Sequence, residues 1–267
     1  MLKRFKLMGR STMKGVDDYA IRVALASDIG CQRHNNEDAM GFFAPEGDRQ
    51  TGLAIIADGM GGHKAGEVAS KEAVETIGAL CLAKHFLNPR QTLTEAYLEA
   101  NRRIYRHAAA HFDCRGMGTT ATALMIAQGS LCYAHVGDSR LYRIYDDQIA
   151  QMTQDHTLVA QMLQYGMITQ EQVRTHPNRN ILINSLGTSP EVQVEILDNP
   201  FPVYIGDSYL LCSDGLFDEL GNNEIKRIVL THSPEEACQA LINAALDSGG
   251  RDNISVIVLA IEKQGLR

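Results

Sequence analysis

Apolar positions along the chain change period several times, and each change predicts an element. Residues 21–27 alternate in the manner of a half-buried strand, and residues 51–57 form a more continuously apolar strand that runs into Asp58-Gly59. Two long stretches then repeat at helical spacing, residues 65–86 and 89–112, the second opening on Pro89, which suits a first helical turn. The middle of the chain breaks into four short apolar runs, at 119–127, 131–136, 141–145 and 149–152. The breaks between them are Gln128-Gly129-Ser130, Gly137-Asp138-Ser139 and Asp146-Asp147-Gln148, all turn chemistry, so the pattern predicts an antiparallel meander. Residues 158–165 read as a helix and 166–177 as a polar, irregular surface flap. Further strands are predicted at 39–43, 192–197, 209–213 and 254–261, with closing helices at 223–230 and 234–246. Strands in groups and helices in pairs predict an α+β layered sandwich rather than a doubly wound sheet. No linker or repeat interrupts the pattern. The expected organisation is one domain over 19–263, carrying a flap at about 160–187 and preceded by a basic arm over 1–18.

Composition narrows the function classes. Hydrophobic residues are 45% and charged residues 21%, which excludes disorder, and no apolar run approaches the roughly 20 residues of a membrane span. The net charge of −7 comes from 25 Lys and Arg against 32 Asp and Glu, which counts against non-specific nucleic-acid binding. Lys3, Arg4, Lys6, Arg10 and Lys14 sit at the start with no acid among them, so the acidity is concentrated in the rest of the chain. The six cysteines lack zinc or redox spacing and most lie in apolar surroundings, as reduced buried thiols do. The start lacks a secretory signal pattern, so a cytoplasmic monomer is expected, its basic arm solvated.

The acids themselves are patterned. Asp58, Asp138 and Asp214 each follow an apolar strand and precede Gly or Ser; Asp252 stands just before the last strand, and Glu37-Asp38 before the strand at 39–43. Singly, each aspartate is an ordinary turn cap. Together, on rigid strand ends, they would repel one another by several kcal/mol at an effective dielectric near 20 unless cations neutralise them. Oxygen ligands without Cys or paired His select Mg²⁺ or Mn²⁺ over Zn²⁺. Two such ions about 4 Å apart make a hydrolytic centre in which water is the nucleophile.

Seven segments then occur in order: SDIGCQRHNNEDA (27–39), IIADGMGGHKAGEVAS (55–70), GMGTTATAL (116–124), HVGDSRLYR (135–143), MTQDHTLV (152–159), LCSDGLFDEL (211–220) and RDNISVIVL (251–259). The chain resembles the bacterial branch of the metal-dependent Ser/Thr protein phosphatases of the 2C type, across residues 21 to 261. The resemblance implies a four-layer α-β-β-α sandwich, two antiparallel sheets face to face with helices outside. It implies that Asp58 bridges two core ions, with the Gly59 carbonyl on one and Asp214 and Asp252 on the other. Glu37 and Asp38 would act through water, and Arg33 would hold the phosphoryl group. Asp138, with Asp214, would bind a third, weaker ion beside the flap. The reaction implied is hydrolysis of phosphoserine or phosphothreonine in phosphoproteins, reversing a Ser/Thr kinase, with Mn²⁺ or Mg²⁺ as cofactor. A relative that binds phosphoproteins without hydrolysing them would have lost core acids, and this chain keeps them. A phosphoesterase for small molecules or nucleic acid is disfavoured by the ordered motifs. One departure stands out: Met60 occupies the position where some relatives carry a histidine proposed as general acid. That role is left to a water or, as an outside candidate, His63; His156 reads as structural.

Overall fold

Residues 18–61 and 65–265 are described in the computed structural model. The basic arm, except for Asp18, and His63 therefore lie outside the described residues. The chain runs β1 (Tyr19–Asp28), β2 (Asp38–Phe43), β3 (Gly52–Met60), α1 (Ala65–Ala83), α2 (Pro89–Ala110), β4 (Gly118–Thr119), β5 (Ala121–Ala127), β6 (Ser130–Val136), β7 (Arg140–Tyr145) and β8 (Gln148–Gln151). It continues through α3 (Leu158–Gln164), α4 (Gln170–Thr175), β9 (Glu195–Ile196), β10 (Phe201–Pro202), β11 (Ser208–Cys212), α5 (Asp214–Phe217), α6 (Asn222–Thr231), α7 (Pro234–Asp247) and β12 (Ile254–Lys263).

Two antiparallel sheets result. One has the order β1-β12-β11-β7-β8; the other follows β10-β6-β5-β3-β2, with β4 paired to β3 and β9 to β6. The near-continuous apolar runs in β3 and β12 are explained by burial of both faces of each strand. Ala54 and Ile56 of β3 face Tyr209, Leu211, Ile257 and Leu259 of the other sheet, while Leu53, Ile55 and Ala57 pack with Ala69, Ile77, Leu93 and Ile104 of α1 and α2. On the far side Val256 and Val258 pack with Ile225, Leu241 and Ile242 of α6 and α7. Helices, sheet, sheet, helices: the four layers follow from period-2 strands between helix pairs.

Several expectations are corrected. The predicted meander is two hairpins in different sheets, β5–β6 in one and β7–β8 in the other. Gly137-Asp138-Ser139 is the crossing between sheets, because the free edge of β6 is taken by β9 and β10 instead of β7. Turn residues mark where a strand stops, and the next strand's partner is a tertiary matter. The run at 192–197 pairs only over β9. The flap is not wholly irregular: α4 forms on a capping box in which Thr169 Oγ1 accepts from Gln172 N–H and Gln172 returns the bond. No described helix is long and apolar enough to cross a membrane. The six cysteines are unpaired, and burial pushes the Cys81 thiol up to about 12.

Candidate metal centre

The pairing of β2 with β3 sets Asp38 directly opposite Asp58. This register brings two carboxylates together at one end of the sandwich, and the remaining acids arrive from the facing sheet. Asp214 begins α5 immediately after β11, Asp252 precedes β12, and Asp138 sits on the crossing between β6 and β7. Arg33, Glu37, Asp58, Gly59, Asp138, Asp214 and Asp252 all line one cavity of about 490 Å³. Asp38 is not among its lining residues and lies behind it, held by Ser213 Oγ, which donates to Asp38 Oδ2 at 2.8 Å. The eight predicted site residues thus occupy one place, seven on the cavity wall and Asp38 behind it.

Asp58 departs from expectation in one respect. It does not end its strand, because β3 runs on to Met60 through pairing of Gly59 with Thr119. That extension fixes the Asp58 backbone: its N–H donates to Thr120 Oγ1 at 2.8 Å, and its carbonyl accepts from Thr120 N–H at 2.8 Å and Thr119 Oγ1 at 2.9 Å. Gly59 is required by close approach. A Cβ there would stand 2.1 Å from the Gly66 carbonyl oxygen and 2.6 Å from that of Glu37, both backbone atoms.

A supporting layer, which the sequence reasoning did not find, orients these acids. Asn253 is buried; its side chain donates to the carbonyls of Ile29 and Asn35 at 2.9 Å each and accepts from Glu37 N–H at 2.8 Å. It therefore staples the loop carrying Arg33 and Glu37 to the start of β12. Thr120 Oγ1 also bonds Ser139 Oγ at 2.6 Å, joining the Asp58 strand to the Asp138 crossing. His156 secures the other side of that crossing. Its Nδ1 accepts from Gly137 N–H at 3.1 Å, and the His156 backbone N–H donates to the Gly137 carbonyl at 2.7 Å. The signal available in the sequence for three of them was adjacency: Ser213-Asp214, Asp138-Ser139 and Asp252-Asn253 place Ser213, Ser139 and Asn253 beside a motif acid, whereas Thr120 has no acid next to it.

Electrostatics make the arrangement costly without cations. Burial first, then the neighbouring carboxylates, pushes Asp58 and Asp214 well above the ordinary range. Burial raises Asp38 to about 6 despite the Ser213 bond, and raises Asp138 to about 7. Glu37 is raised as well, chiefly by burial. Arg33 is the single basic side chain among the described lining residues, and its Nη2 donates to Asp252 Oδ2 at 2.6 Å. Asp38 Oδ1 and Asp214 Oδ1 are buried with no hydrogen-bond donor. Such orphaned oxygens are expensive unless something positive meets them, and an all-oxygen set fits hard divalent cations. A second cluster, His135, His156 and Glu195, gathers possible ligand atoms within 4.8 Å. Burial drives His135 down to about 3, and the Nδ1 bond of His156 puts the proton of its neutral ring on Nε2, so these rings serve as hydrogen-bonding struts.

Architecture and site together define a class: an α/β/β/α sandwich in which both sheets deliver carboxylates to one cavity suited to hard divalent ions. Residues 32–247 match the sequence profile of Protein phosphatase 2C. The serine/threonine phosphatase stp of Listeria innocua is 38% identical over 241 residues, covering 87% of this chain and 93% of that protein. Among solved structures, the Mycobacterium tuberculosis serine/threonine phosphatase PstP/Ppp superposes with a TM-score of 0.82 at 35% identity, over 91% of this chain and 99% of the other. The catalytic domain of a serine threonine protein phosphatase PstP, solved with two manganese ions, gives a TM-score of 0.81 at 33% identity, over 92% of this chain and all of the other. The chain belongs to the protein phosphatase 2C family.

Proposed function

We propose that this protein hydrolyses phosphoserine and phosphothreonine in phosphoproteins, reversing a Ser/Thr kinase, as a cytoplasmic monomer using Mn²⁺ or Mg²⁺. The observation that carries the reading is the pair of orphaned buried oxygens, on Asp38 and Asp214, within a cluster of six acids beside one arginine. Asp58, Gly59, Asp214 and Asp252 would hold two ions, with Glu37 and Asp38 supporting them; Asp138 with Asp214 would hold a third. When bound, the ions supply Lewis acidity, acidifying water and offsetting charge on the phosphoryl oxygens.

The chain's own residues contribute orientation and charge. The Arg33 guanidinium, half exposed at the cavity rim, presents a planar fork to phosphoryl oxygens once cations relieve Asp252 of its pairing. Thr119 and Thr120 hold the Asp58 backbone so that its carboxylate need not reorganise during the reaction. Met60 can neither take nor give a proton, so the leaving alkoxide is not protonated by a side chain at that position.

Manganese-dependent release of phosphate from a phosphothreonine peptide tests the proposal. Asp58→Asn is expected to lower kcat by at least a hundredfold while circular dichroism and thermal unfolding show a folded protein. Arg33→Ala is expected to raise KM for the peptide more than it weakens metal affinity. Full activity of Asp58→Asn, or of the wild type in excess EDTA, refutes the reading.

A further inference from the structure

Beside the metal centre lies a larger groove of about 1470 Å³, and the two share a wall formed by Ile183, Asn184, Ser185 and Thr188. It exists because residues 192–197 pair with β6 only over β9, leaving the rest of that segment as a rim. Its described lining contains Glu191, Glu195 and Asp198 but neither lysine nor arginine, and its one histidine, His156, is lowered by burial. Glu195 is held in place, Oε1 accepting from Tyr133 Oη at 3.1 Å and Oε2 from Gln154 N–H at 3.2 Å. Glu191 is exposed, and Asp198 is 83% exposed while pairing with Arg90 from outside the groove. The groove also offers apolar surface at Ile183, which is 48% exposed. A further cavity of about 190 Å³, also lined by Asp214 and Asp252, sets Arg179 and Arg251 beside Asp218 and Glu219. That cavity is small and already holds two cations; the groove is large, and its described lining holds acids without lysine or arginine.

We propose that this groove receives the extended polypeptide flanking the phosphorylated residue of the substrate and selects lysine or arginine there. The inference rests on the phosphatase reading above. An extended chain advances roughly 3.3 Å per residue, so four positions span roughly 13 Å, and the groove adjoins the metal cavity directly at the shared wall. Complementary charge at such a rim adds modest affinity and much discrimination, since an acidic peptide would meet like charge next to an already acidic centre.

The test uses the full chain with Mn²⁺ and phosphothreonine peptides of equal length carrying Arg, Ala or Glu, in one series before the phosphoresidue and in another after it. A small aryl phosphate serves as a substrate that cannot reach the groove. In one series the Arg peptide should exceed the Glu peptide in kcat/KM by roughly five- to tenfold at low salt, and the ratio should shrink in 0.5 M salt. The double variant Glu191→Lys/Asp198→Lys, neither residue lining the metal cavity, should abolish or invert that preference while leaving aryl phosphate hydrolysis within about twofold. Hydrolysis of all peptides with no charge preference overturns the inference and leaves the phosphatase reading intact. So does a preference that survives the double variant. No hydrolysis of any substrate overturns both.

Discussion

Removing divalent metal should make this protein less stable as pH rises, and restoring Mn²⁺ should reverse the trend. Burial and neighbouring carboxylates raise the acids of the centre, Asp138 from 3.8 to about 7 and Asp38 from 3.8 to about 6. A carboxyl whose folded pKa is raised binds a proton that the unfolded chain has already released. Its contribution to stability is fully present below pH 3.8 and is lost as pH rises through 6 and 7. For Asp138 alone the whole shift corresponds to about 4 kcal/mol, of which roughly 3 kcal/mol falls between pH 5 and pH 8. At about 2–4 °C per kcal/mol for a domain of this size, metal-free protein should melt on the order of 10 °C lower at pH 8 than at pH 5. Metal binding requires the ionised carboxylates, so the gain in Tm on adding Mn²⁺ should grow over the same interval. Differential scanning fluorimetry of EDTA-treated protein, with and without saturating Mn²⁺, at half-unit pH steps gives both curves. A flat metal-free curve between pH 5 and 8 would refute the argument. So would a Mn²⁺ shift of equal size at both ends.

Two substitutions probe the frame around the acids. Gly59→Ala forces a Cβ against the Gly66 and Glu37 carbonyls, neither of which is a flexible side-chain tip, and should cost about 2–4 kcal/mol, read as a lowered denaturation midpoint at unchanged m. Asn253→Ala removes three hydrogen bonds to the β1–β2 loop that carries Arg33 and Glu37 and should cost about 2 kcal/mol, together with a rise in KM for phosphopeptide larger than the fall in kcat; unchanged KM would argue that the loop is held by other contacts.

The parts of the site that were legible in the sequence are those encoded locally. Asp214 is announced by the apolar run before it and by Gly215 after it, and Asp252 by the apolar run that follows it; strand burial on both faces leaves those runs unbroken. Arg33 and Gly59 gained their expected places from ordered motifs rather than from any physical property of the single residue, and Asp138, though marked by its strand end, took its expected role from them. What the sequence did not yield depends on register and on which sheet receives a strand. No local pattern says that Asp38 faces Asp58, that Ser213 reaches back 175 positions to hold Asp38, or that the turn at Asp138 changes sheet. The same limit applies to the end of β3, where pairing with the two-residue β4 carries the strand past Asp58.

That sheet change also explains why so acidic a site can be built in a stable core. Carboxylates mounted on one sheet would be spaced by the strand ladder at about 5 Å and would share one face. Here Asp58 and Asp38 come from one sheet, Asp214 and Asp252 from the other, and Asp138 from the connection between them. The carboxylates therefore approach the cavity along different backbone directions, and three of these residues are held from behind by a buried partner: the Asp58 backbone by Thr120, the Asp38 carboxylate by Ser213 and the Asp252 carboxylate by Asn253 N–H. The repulsion is thus borne by both sheets and by the interface of Tyr209, Leu211 and Ile257 with Ala54 and Ile56. It follows that loss of metal should loosen the packing between sheets before it frays either outer helix layer. Hydrogen exchange of metal-free protein should show the earliest loss of protection at β3 and β11, the strands that carry Asp58 and lead into Asp214, ahead of α2 and α7.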